Sequence, residues 1–403
     1  MKEWKEYRLG DIIAIKSGFA YKGDMIGYGE NILLGMGCVS FKERFLLSGA
    51  RAYAGDCADR YCANSGDIVL ATRQQSDNLP ILGMPAIISN ELSDKRIIIG
   101  ANLYRVDNES DFSNEYIYWL LKTPLYVNHI RSCQSGTTVR MITKANIEDF
   151  RFKAPGREER DRISSFLKSL DDKIEVNRRI NENLEQQAQA LFKSWFVDFE
   201  PFKDQPFVES ELGMIPQGWR LGCLSNVADI IMGSSPSGSS YNVTGDGDVF
   251  YQGRAEFSFR FPRRNMYTTE AKRYADVDSV LLSVRAPVGD INVAEERCCI
   301  GRGLASVKSN EGNSSYILYL MQSLKPVFDQ FNGEGTVFGS INKKALEELK
   351  ILIAPKEIRD SFEDIANKID SEIKVLDQES RRLAELRDTL LPRLMSGELE
   401  IKE

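Results

Sequence analysis

The sequence predicts an α+β protein made of two similar domains, each an irregular β-sheet with helices and each followed by a long helix. Three observations support this fold class. An internal duplication runs through the chain, short apolar stretches broken by glycine fill both copies, and a long heptad pattern of apolar residues follows each copy. A repeat of such a long period indicates the architecture before any local pattern is considered.

The duplication is clearest where "SGTTVRMITKANIEDFRFKAP" is answered by "EGTVFGSINKKALEELKILIAP". At an offset of 199 residues, Gly136 aligns with Gly335 and Lys144 aligns with Lys343. Further upstream, "GDIVLATRQQ" corresponds to "DSVLLSVRAP". The copies differ most where loops are expected, which indicates a protein that reads two different things at a fixed separation.

The first domain is assigned to residues 1–152, where "DIIAIKSG", "NILLGMGCVS", "GDIVLAT", "LGMPAIIS" and "RIIIGANLYRV" are typical of strands. A helix is predicted near 114–131, with a break at Pro124 because proline cannot continue a regular helix. The second domain, residues 218–352, repeats this scheme and ends in a helix predicted near 314–331.

Helical regions follow both domains, at residues 153–200 and 353–403, and a linker rich in proline and acidic residues occupies 201–217. An Ala-Pro step opens each region, and eight of ten positions in each heptad frame are apolar. Such a sustained pattern predicts a coiled coil. The duplication predicts that the two helices pair with each other and run antiparallel. The predicted seam residues are Ile163, Leu167, Leu170, Ile174, Leu184 and Leu191 in the first helix, and Phe362, Ile369, Ile373, Leu376, Leu383 and Leu390 in the second.

Polar residues interrupt both predicted seams. Asn177 and Asn181 lie in the first seam, and Ser380 lies in the second. Polar residues at such positions can fix the register of a coiled coil. The alternative is that they are tolerated in a frayed or exposed stretch, and the sequence does not decide between the two.

The composition excludes several classes of protein. With 42% hydrophobic and 28% charged residues, the chain is typical of folded proteins rather than disordered ones. The net charge of −7 lies in the helical regions and the linker, whereas each domain is balanced, so charge does not decide whether the chain binds DNA. Seven cysteines without a CxxC pair, no signal peptide and no long apolar run lead us to expect a cytoplasmic protein with reduced thiols.

The motifs of several kinds of catalysis are missing from the sequence. The single histidine, His129, argues against multi-histidine metal sites and against histidine-based catalysis. The sequence contains no P-loop, no Asn-Pro-Pro-aromatic tetrapeptide and no glycine-rich turn between a strand and a helix. We therefore expect a non-catalytic chain that holds no metal and no cofactor of its own.

The remaining polar clusters fit the chemistry of nucleic-acid recognition. Arginine pairs with guanine, asparagine or glutamine with adenine, and serine or threonine with either. Clusters of these residues recur after matching strands in both domains, although each cluster alone could be an ordinary exposed turn. Lys144 and Lys343, at equivalent positions, would contact phosphates. The candidate DNA-binding residues are Arg73, Gln74, Gln75, Asn78, Thr137, Thr138, Arg140, Lys144, Ser234, Ser235, Tyr241, Gln252, Arg254, Arg285, Thr336 and Lys343.

Two arginines stand out among these candidates. Arg73 in "VLATR" and Arg285 in "LLSVR" each follow a strand-like segment. We expect them to occupy equivalent positions of the two domains, near the DNA. The alternative is that each is a fold-stabilising arginine that donates hydrogen bonds to backbone carbonyl groups.

Three segments resemble the specificity subunit of a type I restriction–modification enzyme: "LGMIPQGWRLG", "GTTVRMITKANIEDF" ahead of a long helix, and the terminal "LRDTLLPRLMSGEL". The resemblance spans essentially the whole chain and both repeats. It implies that the two domains are target-recognition domains and that the helical regions are the family's conserved regions, paired as an antiparallel coiled coil. The chain departs from the family at Glu158-Glu159 and Ile358-Arg359, where the family often has Glu-Gln.

The resemblance also implies a function. A specificity subunit of this family reads a bipartite, asymmetric DNA target and recruits two adenine methyltransferase subunits, which in turn carry restriction subunits. S-adenosylmethionine, ATP and Mg²⁺ would then bind to the partner subunits rather than to this chain. The alternative is a non-catalytic structural adaptor that binds proteins through its coiled coil without reading DNA. Salt-sensitive, sequence-selective DNA binding would distinguish the two functions.

Overall fold

The internal duplication of the sequence is visible in the order of strands and helices. By its internal contacts the chain divides into two units, Met1–Asn177 with Gln378–Glu403 and Arg178–Asp377. Each unit contains one of the two predicted domains and a portion of both long helices. The computed structural model describes residues 4–75, 80–211, 213–332 and 339–401.

The first unit is built around short strands, several of which lie in the five segments predicted from the sequence. They are β1 (Lys5–Arg8), β2 (Ile13–Ser17), β3 (Ile26–Leu34), β4 (Ala50–Tyr53), β5 (Cys62–Ala63), β6 (Ile68–Ala71), β7 (Arg73–Gln74), β8 (Pro85–Ile87), β9 (Ile97–Ile99), β10 (Leu103–Asn108), β11 (Arg140–Met141) and β12 (Arg151–Ala154). One four-stranded sheet has the order β2-β10-β6-β8 and is antiparallel throughout. The other has the order β4-β3-β9-β5, in which β3 and β9 are parallel. Strand β6 is a continuous apolar run because both of its faces are buried.

The described part of this unit also contains the short α-helices α1 (Asn114–Leu120), α2 (Pro124–Cys133) and α3 (Lys144–Glu148). The predicted break at Pro124 is confirmed, since α2 begins at that proline. The side chain of Thr123 caps α2 by accepting a hydrogen bond from the backbone N–H of Tyr126. The first long helix, α4 (Arg157–Phe196), follows β12 after Pro155 and runs from the first unit into the second.

The second unit repeats this scheme. Its strands are β13 (Phe207–Ser210), β14 (Gly213–Pro216), β15 (Arg220–Cys223), β16 (Ala228–Met232), β17 (Tyr241–Asn242), β18 (Asp248–Tyr251), β19 (Tyr267–Thr268), β20 (Tyr274–Ala275), β21 (Val280–Ser283), β22 (Ile291–Val293), β23 (Cys298–Ile300), β24 (Leu304–Ser309) and β25 (Lys350–Ile353). The antiparallel sheet β16-β24-β21-β22 matches the first sheet of the first unit. The sheet β17-β19-β18-β23-β20 again contains one parallel pair, β18 with β23.

The helices of the second unit differ from the prediction in one respect. They are α5 (Ser314–Ser323), α6 (Lys325–Gln330) and α7 (Lys343–Glu347). The single helix predicted near 314–331 is therefore wrong, because the segment is split at Leu324. The split has the same cause as in the first unit, a proline: Pro326 has no backbone N–H to donate, so it is accommodated only in the first turn of α6.

The second long helix, α8 (Lys356–Ser396), pairs with α4 in the antiparallel sense. In the first unit, Asp171 accepts a hydrogen bond from Arg387 at 2.5 Å, and Asn177 donates to Ser380 at 3.3 Å. Residue numbers along α8 therefore decrease as those of their partners along α4 increase. In the second unit, the side chain of Asn181 donates to the backbone carbonyl of α8 at Ile373, at 3.4 Å. The predicted α+β fold with antiparallel long helices is confirmed.

All twelve predicted seam residues are at least partly shielded from solvent. The polar residues Asn177 and Asn181 are buried and hydrogen-bonded to α8, which does not fit a frayed or exposed stretch. None of the helices in the described ranges is long and apolar enough to cross a membrane. The buried seam residues are Ile163, Leu167, Phe362, Ile373 and Leu376, and the half-buried ones are Leu170, Ile174, Leu184, Leu191, Ile369, Leu383 and Leu390.

Candidate nucleic-acid interface

Each unit brings the ends of several strands together at one edge through backbone hydrogen bonds. In the first unit these bonds join the segments that follow β2, β3, β6 and β9. The N–H groups of Phe19, Gly100 and Thr72 donate to the carbonyl groups of Ile99, Leu34 and Asn102, with N···O distances of 2.7, 2.9 and 3.1 Å. Loops from distant parts of the first domain are thus held side by side.

The same three bonds recur in the second unit. The N–H groups of Ser234, Gly301 and Val284 donate to the carbonyl groups of Ile300, Tyr251 and Gly303, with N···O distances of 2.9, 2.8 and 2.9 Å. We call the two sets of segments the first and second loop edges. The first loop edge comprises residues 18–22, 35–36, 72–75, 100–102 and 135–144, and the second comprises 233–237, 252–254, 284–287, 301–303 and 339–343.

Most candidates of the first domain lie together on the first loop edge. The short ladder of β7 with β11 places Arg140 opposite Gln74 and Met141 opposite Arg73. Arg73 is exposed, whereas Arg140 is half-buried. Half-buried Lys144 begins α3, with its ammonium group 5.8 Å from the ring centre of Tyr104. Burial raises the pKa of the Tyr104 hydroxyl, and the charge of Arg73 partly opposes that rise. Gln75, Thr137 and Thr138 are also exposed.

Gln74 points into the fold rather than toward solvent. Its residue is only 7% exposed, and its amide oxygen accepts a hydrogen bond from the backbone N–H of Leu82 at 3.3 Å. Alternation along β7 explains this, because neighbouring strand residues face opposite sides. A direct base contact from Gln74 is therefore disfavoured in this conformation. Asn78, a further candidate, lies outside the described residues.

The second loop edge gathers candidates from four segments. Ser234 and Ser235 are half-buried after β16, and Gln252 is exposed after β18. Arg285 is exposed after β21, where it pairs across a short bridge with Ser340. Exposed Lys343 begins α7 and lies 3.4 Å from the carboxylate of Glu347. Thr336 lies outside the described residues.

Two other candidates are engaged within the second unit. Tyr241 donates its hydroxyl to the carbonyl of Pro236 at 3.1 Å, and its ring lies 4.9 Å from that of Phe250. Arg254 is exposed but forms an ion pair with Asp290. Both residues therefore have structural partners, and Arg254 would have to exchange its carboxylate partner for a DNA contact.

Arg73 and Arg285 occupy equivalent positions in the two units. Arg73 pairs with Met141 and Arg285 pairs with Ser340, and these two partners are related by the same 199-residue offset as the sequence repeat. Neither guanidinium group forms a hydrogen bond or an ion pair within the described part of the chain. The fold-stabilising alternative, in which each arginine bonds backbone carbonyl groups, therefore has no support there.

Sequence analysis missed one segment of the first loop edge. Phe19 to Lys22 follow β2 as Ser234 to Ser237 follow β16, but the polar character that drew attention to the second segment is absent from the first. The spacing of the flanking glycines could have revealed it, because "GFAYKG" and "GSSPSG" have the same length.

Arginine ion pairs tie each domain to the long helices. In the first unit, Arg44 lies 2.5 Å from Glu115 and 3.7 Å from Asp171 of α4. Arg387 of α8 also bonds Asp171, and although burial opposes its charge, that carboxylate outweighs the effect and raises the pKa of the Arg387 guanidinium. Both loop edges therefore rest on domains that are anchored by charge as well as by apolar packing.

The second unit contains a corresponding anchor. Arg260 is 4% exposed and forms ion pairs with Glu185 of α4 and with Asp370 of α8, the latter at 2.9 Å. The hydroxyl of Tyr319 donates to Asp370 at 2.6 Å, and burial raises the pKa of that hydroxyl. Asp370 is the repeat counterpart of Asp171, so the two anchors use equivalent helix positions.

The described residues do not bring together three His, Cys, Asp or Glu side chains that could hold a metal ion. His129 packs its ring 5.3 Å from that of Phe150 and hydrogen-bonds the carbonyl of Asn146 at 2.7 Å, which is a structural role. The polar groups on the two loop edges are hydrogen-bond donors and acceptors that lie at strand ends.

The fold defines a class of proteins with two similar α+β domains and two antiparallel long helices. The family model for the type I restriction modification DNA specificity domain matches residues 1–186 and 216–387. The chain belongs to the family of type I restriction–modification specificity subunits.

Relatives of known type support this assignment. The chain is 34% identical to the putative type I restriction enzyme MjaX specificity subunit of Methanocaldococcus jannaschii, covering 76% of this chain and 73% of that protein. It is 26% identical to the type I restriction enzyme HindI specificity subunit of Haemophilus influenzae, covering 99% and 100%. The solved structure of a type I restriction-modification system S subunit from M. genitalium has the same fold, with a TM-score of 0.58, 14% identity and coverage of 100% and 97%.

Proposed function

We propose that this chain reads a bipartite, asymmetric DNA sequence and brings two adenine methyltransferase subunits to it, without catalysing a reaction itself. The observation that carries the proposal is the pair of loop edges, which share backbone hydrogen bonds and differ in side chains. A repeated scaffold that presents different side chains suits the reading of two different half-sites. Membership of a DNA specificity family supports DNA as the ligand.

Each edge offers groups for base reading and groups for phosphate binding. Exposed Arg73 and Arg285 would present paired donors, which match the two acceptors of guanine in the major groove. Lys144 and Lys343, at the first residues of α3 and α7, would contact phosphates and so fix position without reading sequence. Specificity and placement would then come from different residues of the same edge.

The partners would bind outer faces of the long helices. Val176 on α4 and Val375 on α8 are 48% and 58% exposed, and they are related by the repeat offset of 199 residues. An exposed apolar residue repeated at equivalent positions of two helices suits the binding of two copies of one partner. S-adenosylmethionine, ATP and Mg²⁺ are assigned to the partner subunits, in agreement with the absence of their motifs from this sequence.

Methylation mapping tests DNA reading. The chain is produced together with its methyltransferase subunits, and modified adenines are mapped at base resolution. We expect two different half-sites separated by an unread spacer of constant length, and binding that weakens steeply with salt. A complex that assembles but modifies or binds DNA without sequence preference would instead establish the structural adaptor. One continuous palindromic target would contradict the bipartite proposal.

Partner binding is tested by the mass of the complex. We expect two methyltransferase subunits per chain, one fewer with Val176→Glu or with Val375→Glu, and none with both changes. Val243→Glu is the matched control, since Val243 is 80% exposed and lies outside the long helices. Full assembly of the double variant would show that the partners bind elsewhere.

A further inference from the structure

One turn of the second loop edge presents a single large side chain. The turn joins β23 to β24 and consists of Gly301, Arg302 and Gly303. Arg302 is exposed, and its guanidinium group forms no hydrogen bond or ion pair with any residue that the structure describes. A charged donor group with no partner of its own is available to a ligand.

The backbone of this turn is held tightly against the neighbouring loops. A Cβ atom on Gly301 would come within 2.9 Å of the Gln252 backbone, and one on Gly303 within 2.8 Å of the Gln252 carbonyl oxygen. Only glycine allows this close approach on both sides of Arg302. The backbone N–H of Arg302 donates to the side chain of Ser235 at 3.2 Å. The position of the Arg302 side chain is therefore fixed at its base.

Arg302 lies among the candidate contacts found from the sequence. The carbonyl of Gly303 accepts from the N–H of Val284, the residue before Arg285, at 2.9 Å. Its own N–H donates to Gln252 at 3.3 Å. The turn thus joins the segments that carry Ser235, Gln252 and Arg285, and the first loop edge has no arginine at the corresponding place, because Ala101 stands there.

We propose that Arg302 is a specificity-determining residue, which donates two hydrogen bonds to a guanine in the half-site read by the second unit. The proposal rests on the proposed function of DNA reading. A fixed backbone, an uncommitted guanidinium group and neighbouring polar side chains favour a base contact over a mobile surface charge. The planar fork of arginine matches the O6 and N7 acceptors of guanine, whereas the flexible ammonium group of lysine can reach both acceptors without this fixed geometry.

The test compares Arg302→Ala and Arg302→Lys with the unaltered chain, each assembled with its methyltransferase subunits. Binding is measured to DNA pools in which one half-site is randomised and the other is kept. Arg302→Ala should lose discrimination by about 10- to 100-fold at one base pair of one half-site, and Arg302→Lys should lose a smaller part of it, with the other half-site unchanged. The matched control is Arg297→Ala, which removes an exposed arginine from the residue preceding β23, at the opposite end of that strand, and should leave every position unchanged.

The remaining outcomes overturn the inference. If Arg302→Lys keeps full discrimination while Arg302→Ala weakens binding to all sequences equally, Arg302 is a phosphate contact and reads no base. If neither variant changes any position, Arg302 does not contact DNA. Both results differ from failure of the proposed function, in which the unaltered complex itself would show no sequence preference.

Discussion

The two loop edges are built on the same backbone hydrogen bonds and present different side chains to solvent. On the first edge, polar groups are concentrated in the ladder around Arg73 and Arg140, while on the second they come from four separate turns. The contrasts at equivalent positions are Phe19 with Ser234, Gly35 with Gln252, and Ala101 with Arg302. The backbone thus decides where a side chain stands, and the side chains decide what each edge can recognise.

The arginine anchors show the opposite relation, because each pairs with an aspartate at an equivalent helix position and the two arginines differ in burial. Arg44 is 21% exposed at the side chain and Arg260 is 4% exposed. Each arginine forms an ion pair with a repeat-equivalent aspartate of a long helix, Asp171 on α4 or Asp370 on α8. The ion pairs that hold the domains to the long helices are therefore kept by the repeat, while the side chains of the loop edges differ between the two units.

The largest effect is expected when both long helices are lengthened and the loop edges are unchanged. One heptad inserted after Asn181 in α4 and another after Ile373 in α8, which face each other, preserve the pairing. Seven residues add about 10 Å of helix, or about three base pairs of DNA. Methylation mapping should show a longer spacer with both half-sites unchanged. A seven-residue insertion after Gly245, in an exposed loop, should leave the spacer as it was.

A smaller effect, a loss of folding stability, is expected when the anchoring arginines are replaced. Arg260→Met leaves Glu185 and Asp370 without their buried partner and should cost about 3–5 kcal/mol of stability. Arg44→Met should cost roughly half as much, because Arg44 is more exposed and water can replace its contacts. Hydrogen exchange resolved by peptide measures each unit separately. Equal costs would show that burial does not distinguish the two anchors.

Single arginine substitutions test whether the two loop edges read different half-sites. Arg73→Ala should relax one half-site and Arg285→Ala the other, each by about 10- to 100-fold at one base pair. Lys153→Ala is the control, since this exposed lysine belongs to β12, which contributes no residue to the loop edge. Simultaneous loss of both half-sites, together with lowered stability, would restore the fold-stabilising interpretation of the arginine concerned.

The smallest effect concerns a charge present only in the first unit. Burial lowers the pKa of Lys122 to about 8, and its ammonium group lies 4.9 Å from the ring centre of Tyr118. Because the unfolded pKa is higher, the unfolded chain binds more protons above pH 8, and stability rises with pH from about 8 to 10.5. We expect this rise in stability to be about 1–2 kcal/mol for the unaltered chain and to be missing from the Lys122→Met variant. Denaturant titrations of both proteins at pH 7 and 10 measure the change in unfolding free energy. The same change in both proteins would show that the Lys122 ammonium group is solvated in the folded chain.

The fold could be predicted from the sequence because its strongest signals are periodic. The 199-residue repeat and the heptads survive local irregularity, and buried strands such as β6 are apolar throughout. The split at Leu324 was missed although Pro326 signals it, since an apolar helical pattern continues across the break. The proline, which lacks a backbone N–H, breaks the helix even though the apolar pattern continues.

The candidate interface was predicted less completely, because its parts meet only through pairing between distant segments. Arg73 and Arg285 were found since each directly follows a buried strand. The inward orientation of the Gln74 side chain depends on the pairing of β7 with β11, which no local pattern reveals. Arg302 was missed because its neighbours Ser235 and Gln252 reach it only once β18 and β23 lie parallel.

The division of each long helix between the units has a consequence for synthesis on the ribosome. Arg178–Asp377 is continuous in sequence, so the second unit can fold as soon as it has emerged. The first unit must wait for Gln378–Glu403, which is made after the whole of the second unit, because Arg387 donates a hydrogen bond to Asp171. The first unit is therefore begun before the second and completed after it, and a chain that stopped before Gln378 would leave the first unit incomplete.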